Sequence, residues 1–263
     1  MNTSTAISTL LRDLTVGRLV HKLLLAVVAG LFVYSLLGGA AWSRFAAFGL
    51  VTAYFALTVW SLRAGRITGE TAQLIAAGRH DEAEDRMQEA VKRFGVVRPL
   101  KMATLHQLAV LRHAQGRWSE AVDAGAAFLG QTRGRSSMQS GTELLVAEAA
   151  LEADDLHTAH RLIVALRSKP LSTDHFAALL VLQLDYQSRL GLWAAMDHNV
   201  PAKLNLLDLR PGPEAGRGCA LIALAQLKLG RGDLGRALSE RATLLESAAA
   251  LVDGRPLLRD ILK

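Results

Sequence analysis

At 263 residues with 51% hydrophobic side chains the chain can bury a large core, and its net charge of +6 raises the question of a nucleic-acid partner. The placement of the charge argues against one: residues 1–66 carry six basic side chains and one acidic, while the remaining 197 carry 24 and 23, leaving no basic stripe for phosphate. The one cysteine, Cys219, excludes an intramolecular disulfide and agrees with a reducing compartment.

In residues 1–22, Ile7, Leu10, Leu11 and Leu14 recur at helical spacing, with Arg12, Asp13, Thr15 and Arg18 on other faces. This pattern predicts a short amphipathic helix lying in the cytoplasmic interface of a membrane.

Residues 23–43 contain no charged side chain and neither do residues 45–62, with Arg44 alone between them. Eighteen helical residues reach ~27 Å, close to the ~30 Å hydrocarbon core of a bilayer. Residues 23–62 therefore read as a transmembrane helical hairpin, from Leu23 to the neighbourhood of Trp60, with Trp42 as an interfacial aromatic in the turn. Small residues at spacing four, Ala26 with Gly30 and Gly49 with Ala53, suit close helix approach, either within the hairpin or between two copies. No carboxylate, Lys or His interrupts either span, which disfavours a transporter or proton relay. Arg12, Arg18 and Lys22 precede the first span, and Arg63 and Arg66 follow the second, so both termini are expected in the cytoplasm, at a bacterial inner membrane. Cleavage of the first span as a signal peptide near residues 38–40 would leave the same orientation, because the second span still runs inward.

From residue 63 onward the chain reads as helices alternating with short polar turns. Five segments share one shape: Gly78-Arg79-His80-Asp81-Glu82-Ala83, Gly116-Arg117-Trp118-Ser119-Glu120-Ala121, Asp154-Asp155-Leu156-His157-Thr158-Ala159, Gly191-Leu192-Trp193-Ala194-Ala195-Met196 and Gly232-Asp233-Leu234-Gly235-Arg236-Ala237. Their closing Ala or Met positions lie 38, 38, 37 and 41 residues apart, the mark of stacked helical hairpins. The expected pairs are 67–77 with 80–94, 101–115 with 118–130, 141–153 with 156–168, 174–190 with 193–200, and 215–230 with 233–252. After Pro256, Leu257, Leu258, Ile261 and Leu262 are placed to cap the end of the stack.

The second unit, with Leu105, Leu108, Ala109, Gly116, Trp118, Ala121, Val122 and Phe128, resembles the tetratricopeptide repeat. The first, third and fifth units match less fully, and the fourth has Met196 where the family places a small residue. The resemblance implies an all-α protein in which residues 63–263 form an α-solenoid of about five such helix pairs. It also implies that the first helix of each pair lines a concave, partner-binding face. Projected here, that face holds His106, Gln107, Val110 and His113, then Leu144, Leu145, Glu148 and Glu152, then Val181, Asp185, Arg189, Ile222 and Gln226. Its mixed polarity suits a protein partner, as an extended peptide or a helix. Capture of a terminal carboxylate by paired Lys and Asn is not implied, because His106 and Val110 stand at those positions.

No catalytic constellation appears in the sequence, and no cofactor is expected. His157 and His160 with Asp154 and Asp155 sketch a metal site, but an N-terminal helix cap with solvent-facing histidines accounts for the same residues. The expectation is a non-enzymatic, membrane-anchored scaffold that recruits or assembles protein partners at the cytoplasmic face. The alternative is a structural subunit of a larger membrane complex, or a homo-oligomer, with contacts through the hairpin.

Overall fold

The computed structural model describes residues 2–36, 42–92, 97–132, 137–209, 211–253, 255–259 and 261–262. Among them every regular element is helical, as expected, and the chain divides into two compact units, Met1–Arg133 and Gly134–Lys263. The first unit contains α1 (Thr3–Leu36), α2 (Trp42–Ala76), α3 (His80–Lys92), α4 (Arg98–Ala114) and α5 (Trp118–Gln131). The second contains α6 (Ser137–Glu152), α7 (Leu156–Arg167), α8 (Thr173–Arg189), α9 (Trp193–Asp197), α10 (Val200–Asp208), α11 (Pro213–Lys228), α12 (Gly232–Leu245) and α13 (Ala248–Val252), closed by a 3-10 turn at Pro256–Leu258. Two boundaries read from the sequence, after residues 22 and 62, fall inside the continuous helices α1 and α2.

Within each unit hairpins pack on their nearest neighbours. In the first, α2 packs on α3 and α4, and α4 on α5; in the second, α6 packs on α7 and α8, α8 on α9 and α11, and α11 on α12. This packing is compatible with a helical repeat. Each hairpin is closed by one residue in the left-handed region: Gly78 (φ 71°), Gly116 (φ 68°), Asp154 (φ 59°), Gly191 (φ 67°) and Gly230 (φ 79°). The residue after it donates its N–H to the carbonyl five residues back, as in Arg79 to Leu74, Arg117 to Arg112, Asp155 to Ala150, Leu192 to Gln187 and Arg231 to Gln226, all at 2.8–2.9 Å. These are Schellman ends, and positive φ is why Gly, or a short side chain such as Asp, is required.

The turns correct the fifth unit. Five residues after each left-handed residue come Ala83, Ala121, Ala159 and Met196, all fully buried. In the fifth hairpin the equivalent of Gly78 is Gly230, not Gly232, so the crossing residue is Gly235 and not Ala237. Ala237 is exposed, whereas a Cβ on Gly235 would lie 2.5 Å from Leu227 Cγ. The true spacing of crossing positions is 38, 38, 37 and 39. Gly232, two residues on, has the same side chain but not the positive φ of the turn. The fourth pair also departs from expectation: its second helix ends at Asp197, and Asn199 (φ 54°) with Pro201 redirects the chain into α10.

The amphipathic stripe near the N-terminus packs against other helices of the first unit. It is the first half of α1, and Ala6, Leu10 and Leu14 are buried where α1 packs against α2, α4 and α5. Asp13, also buried, meets Lys101 Nζ at 2.8 Å, and Thr3 Oγ1 accepts from Arg112 Nε at 2.8 Å. Ten residues on α1 thus span eleven on α4 in the opposite direction, so the two helices run antiparallel. Burying Leu10 and Leu14 contributes about 1.5–3 kcal/mol each, and protein rather than lipid supplies the counter-charge for Asp13. Arg112, fully buried, is also held bidentately by Glu84 at 2.8 and 3.2 Å and by Gln115 at 2.6 Å.

The second half of α1 has another character. Leu19, Leu23, Leu25, Phe32, Val33 and Tyr34 are exposed, and the helix is long and apolar enough to cross a membrane, with only 6% of the apolar window buried. It is the one helix to meet that criterion among the described residues. The expected second span forms the first half of α2, where Phe45, Phe48, Val51 and Phe55 are exposed. His21 Nδ1 lies 3.0 Å from Tyr54 Oη and registers α1 on α2. The expected turn at residues 38–44 lies largely outside the described residues, as do the side chains of Trp42 and Trp60.

Two predictions follow from this packing. Gly235→Val overpacks the α11–α12 crossing and lowers unfolding free energy by about 1–3 kcal/mol in urea titration, whereas Ala237→Val changes it by less than about 0.5 kcal/mol. The Arg112 guanidinium holds the Glu84 carboxyl well below the usual carboxylate range. A depressed carboxylate contributes stability that is complete above its ordinary value of 4.5 and lost as the pH falls below it. Glu84→Gln therefore lowers the stability of the first unit at pH 7 and flattens its pH dependence below 4.5, measured by acid titration of helical circular dichroism.

Candidate functional site

Residues four apart on a helix share a face, and in the second unit two such pairs converge. Helix α6 presents Glu148 and Glu152, and α8 presents Asp185 and Arg189, at the positions six and two residues before the left-handed turn residues Asp154 and Gly191. The sequence placed these four on one surface, and the structure brings them together. Arg189 Nε lies 3.2 Å from Asp185, its Nη2 lies 3.5 Å from Glu152, and its Nη1 donates to the Leu151 carbonyl at 2.6 Å.

Two further cations, which the sequence reading missed, complete the cluster. Arg217 on α11 donates to Glu148 Oε1 at 2.6 Å. Arg255, just before the 3-10 turn, donates from Nε to Asp185 Oδ2 and from Nη2 to Glu152 Oε1, each at 2.8 Å. Only 7% of the Arg255 side chain and 3% of Asp185 are exposed, so this is a buried charge-assisted pair. Burial pushes the Glu152 carboxyl up; Arg255 and Arg189 oppose the rise, and Asp185 and Glu148 add to it.

The segment that carries Arg255 bridges α6 and α8 through that side chain and packs on α11. Leu258 is fully buried in the core of the second unit, and Ile261 and Leu262 pack on its edge, whereas Leu257 is half exposed. The capping role expected of this segment thus falls to three of the four residues named for it. Beside Arg255 a cavity of about 260 Å³ remains, walled by Asp154, Ser188, Leu221 and Leu224.

The other expected concave residues are placed differently. His106 packs on Phe128 with ring centroids 5.7 Å apart, and burial pulls its pKa down. His113 meets Trp118 edge-on at 5.0 Å. Gln107 and Val110 are half-buried, Leu144 is buried, and Gln226 is fully buried and donates to Asp197 at 2.9 Å. With the fifth turn at Gly230, Leu224 and not Gln226 occupies the row of Val110, Glu148 and Asp185. Of the residues expected in the membrane, Leu23, Gly30, Gly49 and Ala53 are exposed. A Cβ on Gly30 or Gly49 would meet nothing within 4 Å among the described residues, so neither lies at the close approach of α1 and α2 that their spacing suggested.

Near the sketched metal site, Asp155 caps α7 by accepting the Thr158 N–H at 3.0 Å, and the His160 ring lies 5.4 Å from that of Tyr186. These contacts account for both side chains. No family model matches this chain, and comparison with curated proteins and with solved structures finds no similar one.

The groove makes a measurable demand. Asp185→Leu leaves the buried Arg255 guanidinium short of a carboxylate and lowers the stability of the second unit by about 3–5 kcal/mol. The Asp185→Leu/Arg255→Met pair recovers at least half of that loss, read from hydrogen exchange in α8 and α11.

Proposed function

We propose that the protein is a non-enzymatic scaffold anchored in a membrane by a hairpin of α1 and the apolar half of α2, with both termini in the cytoplasm. Its helix pairs form a tetratricopeptide-like array. The groove walled by α6, α8 and α11 holds a peptide segment of a protein partner. The observation that carries this reading is Arg255, seated between Glu152 and Asp185 with Leu258 buried three residues on. A groove filled by an Arg-Pro-Leu-Leu stretch of its own chain is shaped and charged for a partner segment of that chemistry, a basic anchor followed by an apolar one. A tethered segment competes at an effective concentration in the millimolar range, so a partner must match its contacts or bind beside them.

The test uses full-length protein in detergent and a labelled peptide of residues 251–262. Arg255→Ala weakens the tethered segment, so the peptide binds this variant at least about tenfold more tightly than wild type, and Glu152→Gln together with Asp185→Asn removes the gain. Equal binding to wild type and to a folded Arg255→Ala variant counts against the groove.

The outward faces of Gly30 and Gly49 favour a second reading, a structural subunit whose partner contacts lie in the bilayer. Exchanging residues 23–62 for an unrelated hairpin separates the two, since the scaffold keeps its partners and the subunit loses them.

A further inference from the structure

Charged groups buried in the first unit are matched, Arg112 by Glu84 and Lys101 by Asp13. One cluster is not. Arg18 and Lys22, one turn apart on α1, share a cavity of about 530 Å³ with Arg98, Gly130 and Gln131, and no carboxylate lines it among the described residues. Arg98 stands in the first turn of α4 and donates from Nη2 to the Gln131 carbonyl at the end of α5, which aims its guanidinium along the pocket wall and leaves other N–H groups free for a ligand. The Asp13–Lys101 contact explains why Arg98 is there, since antiparallel packing carries the start of α4 to the level of Arg18. Three like charges around one cavity repel each other, and an anion relieves that repulsion.

The depth of the pocket points to the anion. Arg18 lies five residues before Leu23, about 7.5 Å along the helix axis, and from Leu19 onward the exposed surface of α1 is dominated by apolar side chains. In a bilayer spanned by that apolar half, Arg18 and Lys22 fall at the headgroup layer, where basic pockets hold acidic lipid headgroups. We propose that this cavity binds the phosphate of an acidic phospholipid, with Arg18 and Lys22 from the anchoring helix and Arg98 from the α4–α5 hairpin as donors. The inference rests on the membrane-anchored reading and adds to it a lipid preference. A bound headgroup ties α1, α4 and α5 together at the membrane surface.

The test is native mass spectrometry of full-length protein released from nanodiscs of phosphatidylcholine alone or with phosphatidylglycerol. Wild type retains one acidic lipid in preference to neutral lipid. Arg98→Gln lowers that retention about fivefold, Arg98→Lys keeps it within about twofold, and Arg18→Gln with Lys22→Gln abolishes it, with helical content unchanged throughout. All three side chains are exposed, so the variants fold. Equal retention of neutral and acidic lipid by wild type, or unchanged retention by Arg98→Gln, overturns the site. Inorganic phosphate or glycerol phosphate that stabilises the detergent-solubilised protein as much as the acidic lipid overturns the lipid as the source of the phosphate. Failure of the protein to enter nanodiscs overturns membrane anchoring itself, which is distinct from entry without preference.

Discussion

Five backbone positions in the left-handed region set the geometry on which the remaining structure depends. Each turns a helix back on itself within a few residues, and the helix that follows must cross its partner at the position five further on. Where that position is Ala or Gly the backbones approach closely, and Met196 shows how far the rule bends: it is fully buried, but its helix is only five residues long and needs α10 to continue. Within the second unit the crossings leave α6 and α8 side by side, and that adjacency lets Glu152 on α6 and Asp185 on α8 grip one guanidinium.

In each unit a chain-terminal segment is fastened to the repeat helices by buried charge. In the first, the opening half of α1 is tied to α4 through Asp13–Lys101 and the Arg112 cluster; in the second, the closing segment is tied to α6 and α8 through Arg255. Buried pairs of this kind stabilise little on balance, because desolvation nearly cancels their attraction, but they penalise any other register severely. They locate the terminal segments, while apolar burial of Leu10, Leu14 and Leu258 supplies most of the free energy.

Much of the helical architecture was legible because its signals are local. Glycines at the turns, small residues at the crossings and apolar periodicity placed most of the helices to within a few residues, and the acidic row on α6 and α8 followed from the same register. The fifth turn failed for a local reason too: Gly230, Gly232 and Gly235 offer several alignments, and only φ and burial distinguish them. The stripe at Leu10 and Leu14 is amphipathic as its spacing predicts and packs on protein, since hydrophobic periodicity says that a face is buried but not against what.

By itself the sequence determined an all-helical chain, a hairpin period near 38 residues and an apolar, uncharged stretch in α1 long enough to span a bilayer. These depend on side-chain size, backbone freedom and the order of polar and apolar residues over short distances. Only the tertiary structure decided that Arg255 reaches Asp185 across 70 residues, that Arg98 joins Arg18 and Lys22, and that α1 docks along α4. Long-range charge pairing leaves no periodic trace, because any of the 30 basic residues can oppose any of the 24 acidic ones until packing chooses among them.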